Sequence, residues 1–325
     1  MYLHDDREKF NELIMKCRER TNIVGAMIEK DYFVTLFLKH LFMAEPRIVF
    51  KGGTCLSKCF GLIDRFSEDI DITMRPDATQ KQKKGLKYHI VDTADKLGLE
   101  HTNADTIMSG RSYANHRIRF PSDFTDEALE PLLIVETFFR PVSLSTLTMP
   151  ASSLIYEHLK AKEDYDAITE YGLEPFDATV QSLNITFIDK LYALIVYHVK
   201  NRVEGRSRHL YDLHKILPHI ELNGEFFRLL EEMSEYEKND LASMRSPIDI
   251  DPSMFTTSLQ NIISEEVYKK DYETKTLPLL FDAVPYKETV RSLRSVIDRI
   301  DAEGGEFLVD KPMNFIVHGR KTAKA

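Results

Sequence analysis

The chain has 325 residues, 43% hydrophobic and 29% charged, with a formal net charge of −9. Such proportions belong to globular chains and allow two domains, while the negative balance excludes a protein coated in basic residues for bulk nucleic-acid binding. The longest apolar stretches, such as Leu191 to Val199, are too short to span a bilayer, the charged N-terminus predicts no secretory signal, and an odd count of three cysteines predicts a reduced, cytoplasmic setting.

In chain order, apolar positions at Phe10, Leu13, Ile14 and Cys17, then Tyr32, Leu36, Leu38 and Leu41, predict helix through residues 6–44, ended by Pro46. A mixed core follows: strand 47–51, helix 54–63, strand 69–74, a Lys-rich helix 79–97, and strands at 112–120 and 132–139. The Ser/Thr-bearing stretch Pro141 to Pro150 is expected to cross to a second domain, giving a partition of 1–150 and 151–325. Beyond it the pattern is mainly helical, at 187–202, 207–220, 223–238, 256–270 and 286–303, and the tail from Val317 is expected to be loosely ordered. The class is therefore α+β.

The chemistry concentrates between Phe50 and Met74. The apolar run Arg47-Ile48-Val49-Phe50 stops at Gly52-Gly53, which permit backbone angles and a close ligand approach that a Cβ would block, so they mark a phosphate-facing turn. Thr54 is expected to cap a short amphipathic helix with Cys55, Leu56, Cys59, Phe60 and Ile63 inward, its N-terminus toward the phosphates. Cys55 and Cys59 lack further ligands at metal-binding spacing and read as buried small apolar residues. From Ser67 to Thr73 polar and apolar residues alternate, so Asp69 and Asp71 share a strand face roughly 7 Å apart. Two carboxylates so placed can hold Mg²⁺. A nucleotide-gripping P-loop is excluded, because it ends in Gly-Lys-Ser/Thr and here Ser57 precedes Lys58 and Cys59 follows it.

Basic residues cluster in three places: Lys81, Lys83, Lys84 and Lys87; Arg111, Arg117 and Arg119 with Tyr113 and His116; and Lys200, Arg202, Arg206 and Arg208. The first reads as a solvated helix face. The third carries one opposing acid, Glu204, and is the candidate RNA-binding surface of an acidic protein.

The Phe50–Met74 string resembles the signature of the AbiEii/AbiGii toxin family, nucleotidyltransferases of the DNA polymerase β-like superfamily that include the MenT toxins. Three further elements match in order: Glu29-Lys30-Asp31-Tyr32-Phe33, Thr186-Phe187-Ile188-Asp189-Lys190-Leu191 (with Asp189 where the family more often has Glu), and Arg208-His209-Leu210-Tyr211-Asp212-Leu213. After about residue 225 no family motif is recognisable. The resemblance implies a polymerase β-like nucleotidyltransferase core, a mixed sheet with flanking helices, plus a mainly helical C-terminal domain that completes the site.

It also implies roles. Mg²⁺ is the expected cofactor, held by Asp69, Asp71 and a third carboxylate from a neighbouring strand, for which Glu136, the lone acid in Pro131-Leu-Leu-Ile-Val-Glu136, is the candidate if it does not pair with Arg140 instead. Gly52, Gly53, Thr54 and Ser67 would bind the phosphates of the substrate NTP, Lys190 would neutralise charge on them, and Asp212 would activate or position the acceptor hydroxyl. The family implies a toxin transferring a nucleotide to RNA, such as the tRNA 3′ end, and a cognate antitoxin of AbiEi-like or other type encoded nearby. An antibiotic-like small molecule or a protein is the alternative acceptor, and a degenerate binding module is argued against by the complete Gly-Gly, Asp-x-Asp, Lys and Asp set.

Overall fold

The computed structural model describes residues 1–65, 67, 69–108, 113–124, 129–139, 145–243 and 255–309. Two long helices lead, α1 (Arg7–Thr21) and α2 (Gly25–Ala44), separated where Asn22 turns left-handed and its amide caps the Arg18 carbonyl. Next come β1 (Ile48–Lys51), α3 (Gly52–Lys58), β2 (Asp69–Met74), α4 (Gln80–Lys96), β3 (Glu100–His101), β4 (Tyr113–Arg119), β5 (Leu132–Phe138) and β6 (Thr146–Ala151). The chain continues through α5 (Leu154–Ala161), α6 (Tyr165–Glu170), β7 (Phe176–Gln181), α7 (Leu183–Val199), α8 (Arg208–Ile216), α9 (Gly224–Ser243), α10 (Phe255–Ser264), α11 (Lys269–Asp271) and α12 (Tyr286–Val309).

The seven strands form one mixed sheet in the order β3-β4-β5-β2-β1-β7-β6. The central pair β1–β2 is antiparallel, while β2–β5 and β1–β7 are parallel. This is the expected α+β architecture. One sheet face sends Phe50, Ile70, Ile72, Ile118 and Val135 into a core shared with α1, α2 and α4–α6. A second core is built from α7–α10 and α12, with Leu56 and Ile63 reaching into it from the first part of the chain. Cys55 and Cys59 are free and buried, as their spacing suggested.

Three expectations shift. The helix predicted at 54–63 begins at Gly52 and ends at Lys58, with Lys51 in the N-cap position, so Thr54 lies within the first turn and does not cap it. Period-3.6 spacing located the apolar face but not the start, because the two glycines were read as a turn. The stretch Pro141 to Pro150, expected as a crossing, contributes its last residues to β6, an edge strand paired with β7, and 141–144 lie outside the described residues. The partition at residue 150 therefore falls inside β6, whereas the two hydrophobic clusters divide between Val180 and Ile185. The tail from Val317, and Arg111 and Arg140, lie outside the described residues. Among the described residues no helix is long and apolar enough to cross a membrane.

The element Glu29-Lys30-Asp31 sits on α2 as a brace. Asp31 receives Lys58 Nζ at 2.5 Å and the Leu154 amide at 2.7 Å, joining α2 to α3 and to the start of α5. Glu29 accepts from the Ser122 hydroxyl and from the Asp123 amide at 3.4 Å. Burial outweighs those bonds and pushes its pKa from 4.5 up to about 6. The folded state thus holds this proton more tightly than the unfolded one, so the group's contribution is fully present below pH 4.5 and is lost as the pH rises to about 6. Glu29→Gln should flatten that part of the profile: across the window, urea unfolding should show wild type losing roughly 1 kcal/mol more stability than the variant.

Candidate active site

The site begins where β1 delivers the chain to Gly52 at φ +75°, a backbone that favours glycine. Space demands it too: a Cβ on Gly52 would lie 1.9 Å from Asp71 Oδ2, and one on Gly53 would lie 2.6 Å from Ser67 Oγ and 2.7 Å from an Arg65 guanidinium nitrogen. The first turn of α3 is therefore pressed against Asp71, Ser67 and Arg65. Thr54, expected to offer its hydroxyl to phosphate, is buried and donates instead to the Asp69 carbonyl at 2.6 Å, with Ser67 Oγ 3.0 Å away. It braces the entry to β2.

On β2, Asp69 and Asp71 alternate with the buried Ile70 and Ile72, which puts both acids on the sheet face opposite the core. Parallel pairing sets Asp71 beside Glu136 on β5, and antiparallel pairing sets Glu136 beside Asn115 on β4. Glu136 accepts from Tyr113 Oη at 2.8 Å and Asn115 Nδ2 at 3.0 Å, and Arg208 lies 4.0 Å from Asp69 Oδ2. Burial, with Glu136 beside it, raises the pKa of Asp71 against the opposing pull of Lys51, Lys190 and Arg208. A carboxylate so placed is one whose charge a divalent cation would relieve, and the oxygen donors suit Mg²⁺. The three acids do not form a closed cage: among the described residues no cluster of three His, Cys, Asp or Glu side chains is close enough to hold a metal.

Asp212 is tied into an ion cluster. It has no solvent exposure, and Arg65 grips it twice, Nε to Oδ1 and Nη2 to Oδ2 at 2.8 Å each, while Lys190 Nζ donates to Oδ2 at 2.6 Å. Burial opposes its charge, but the two cations win and hold its pKa far below the carboxylate range. A group so committed is a poor base, and its bonds fix Arg65 and Lys190. Lys190 is buried too, which lowers its pKa despite Asp212.

These groups meet in a cleft of about 220 Å³ that gathers residues of β1–β2, β5, α7 and α8. Gly52, Gly53, Ser67, Asp69, Asp71, Glu136, Lys190 and Asp212 all line it. The basic patch expected to act as one surface is divided. Arg206 and Arg208 line the cleft, whereas Lys200, the C-cap of α7, and exposed Arg202 do not. Arg117 and Arg119 stand exposed on β4, paired with Glu130 and Glu100, and Lys87 donates to the Ile107 carbonyl. The element carrying Lys30 and Asp31 lies instead on a second cavity of about 380 Å³ beside α3, which shares Arg65 and Ser67 with the cleft.

Sequence reasoning missed Arg65, Lys51, Tyr197 and any role for His209. For Arg65 the only signal was a lone base in the loop just before the Asp-x-Asp strand; the partner that gives it meaning is 147 residues away.

A mixed sheet carrying two strand acids beside a glycine-opened helix, with a buried lysine across the cleft, is the arrangement of a nucleotidyltransferase. The family model described as "Nucleotidyl transferase AbiEii toxin, Type IV TA system" matches residues 37–298. The chain belongs to that family, a nucleotidyltransferase toxin of a type IV toxin-antitoxin system. The match runs well past residue 225, where no motif was legible. No curated protein matches the chain.

The opposite electrostatic settings of the two aspartates have a measurable outcome. Asp212→Asn leaves two buried cations without a counter-charge and should cost about 3–5 kcal/mol of stability in urea unfolding. Asp71→Asn, which replaces a carboxylate whose charge burial disfavours, should leave metal-free stability unchanged or slightly raised.

Proposed function

We propose that the enzyme transfers a nucleoside monophosphate from an NTP to an RNA acceptor, such as the tRNA 3′ end, in a Mg²⁺-dependent reaction that releases pyrophosphate. The observation that carries this reading is the Cβ-free turn of α3 seated against Asp71, with Lys190 lining the same cleft. Asp69 and Asp71 would hold the metal, with Glu136 having to draw in toward them to complete the set, and the ion would supply charge neutralisation at the phosphates undergoing in-line displacement. Gly52 and Gly53, in the first turn of α3, would offer backbone donors to the β- and γ-phosphates, and Ser67 would offer a hydroxyl. Lys190, fixed by Asp212, contributes positive charge without having to reorganise. Arg65 and Arg208 add to that field, and the Asp212 carboxylate keeps the buried cations oriented.

The acceptor must meet an acidic protein at a local basic surface. Lys200 and Arg202 lie outside the cleft but within the segment linking α7 to α8, and so remain the candidates for RNA backbone contact. A toxin of this kind requires a cognate antitoxin, AbiEi-like or other, acting with it in the cytoplasm.

Incubation with each labelled NTP, Mg²⁺ and total tRNA tests the reading directly. Label should enter RNA; label entering only a small molecule or a protein would replace the acceptor class. Asp69→Ala or Asp71→Ala should reduce transfer by at least 100-fold and abolish growth inhibition on expression, roughly the loss of 2.7 kcal/mol or more of transition-state stabilisation. Wild-type rates in either variant would remove the two-aspartate site.

Changing Lys200 and Arg202 together to Glu should raise the apparent KM for RNA and reduce its salt slope by about 0.7 for each RNA phosphate that is no longer neutralised, with NTP binding unchanged. An unaltered slope would shift the acceptor path to Arg117 and Arg119 on the open sheet face.

A further inference from the structure

Lys190, Ala193 and Tyr197 stand at i, i+3 and i+7 on α7, and all three line the cleft. They form one stripe, and at 1.5 Å per residue it runs about 10 Å outward from the buried lysine, on the order of the span from a nucleotide's phosphates to its base. Ala193 leaves the middle of the stripe open. At its outer end the guanidinium of Arg206 lies over the Tyr197 ring, 4.5 Å from the centroid. His209 stacks on the same tyrosine, the rings 7° from parallel with centroids 6.0 Å apart.

His209 supplies a second observation. Both of its ring nitrogens are buried without a hydrogen-bond partner among the described residues, an arrangement that is costly until a polar group arrives. Burial, reinforced by Lys190 and Arg208, keeps the ring neutral. A neutral imidazole presents one donor and one acceptor, the complement of a nucleobase edge and not of a phosphate, which only accepts.

We propose that the Arg206–Tyr197 pair is the platform on which the base of the incoming nucleotide stacks, with His209, whose ring must turn to uncover a nitrogen, as the polar group that meets the base edge. The inference rests on the cleft being the NTP site, and it assigns Arg206 to the nucleotide instead of the RNA acceptor. A guanidinium plane backed by an aromatic ring stacks on any base, so the platform grips purines and pyrimidines alike, and selectivity falls to His209.

Equilibrium binding to the full-length protein separates this role from plain charge neutralisation, using ATP, GTP, CTP and UTP beside inorganic tripolyphosphate as the base-free probe. Arg206→Lys keeps the charge and loses the plane. It should weaken the preferred NTP about tenfold and leave tripolyphosphate binding unchanged, which also reports that the cleft is folded. Tyr197→Ala should behave like Arg206→Lys, and Tyr197→Phe like wild type. His209→Ala should compress the differences among the four NTPs. Equal weakening of NTP and tripolyphosphate by Arg206→Lys, or no effect on either, would overturn the platform while leaving the nucleotide reading standing. Failure of the wild-type protein to bind any NTP would overturn both.

Discussion

A carboxylate wholly out of water and gripped by two buried cations is the constraint on which this molecule turns. Isolated, each of the three charges would be prohibitive to bury; together, Asp212, Arg65 and Lys190 offset one another, because the guanidinium engages both oxygens and the ammonium takes a second bond to one of them. Their positions matter as much as their charges. Arg65 comes from the loop between α3 and β2, Lys190 from α7 and Asp212 from α8, so the ion cluster ties the sheet-based part of the chain to its helical part. The same loop is fastened by the Asp64 amide to Tyr211 Oη at 3.0 Å, by Lys215 to the Asp64 carboxylate at 2.7 Å, and by the Phe281 amide to the Asp64 carbonyl at 2.8 Å. Because Arg65 also borders Gly53, the seam and the glycine turn are one assembly.

That arrangement explains how a protein of net charge −9 can host a polyanionic substrate. Besides the cations on its surface, the chain holds Arg65, Lys190, Arg206 and Arg208 buried or half-buried around one cleft, where the low dielectric makes each more effective than on an exposed helix. The acids face them across the same space. Asp71 is held where its own charge is disfavoured, and Asp69 is approached by Arg208, so the two sides of the cleft are poised against each other in the absence of substrate. The lysines of α4, despite their number, take no part in this field.

How much of this was legible follows from sequence distance. The strand Asp69–Met74 was readable to the residue, because alternation is local and one face is buried. The two glycines stood out in the sequence, but the approach of Asp71 and Arg65 that excludes a Cβ there depends on residues folded onto them from further along the chain. Thr54 misled because threonine before an apolar helix is the usual cap, whereas here its hydroxyl faces the neighbouring strand. Asp212 was identified from resemblance alone, and nothing local reveals that Arg65 and Lys190 converge on it. The basic run from Lys200 to Arg208 looked continuous in sequence, yet the turn between α7 and α8 sends Arg206 and Arg208 into the cleft and leaves Arg202 exposed.

The seam has a consequence for a toxin while it is being made. Asp71 and Asp212 are 141 residues apart (212 minus 71), so the ribosome releases the acidic half of the cleft long before the carboxylate that positions Lys190. At translation rates of roughly 5–20 residues per second that interval lasts about 7–28 s. Throughout it the nascent chain holds its strand acids without the fixed cations opposite them. Arg65 is thus made long before its counter-charge, and the ion cluster closes only once the helical half has been synthesised and has docked.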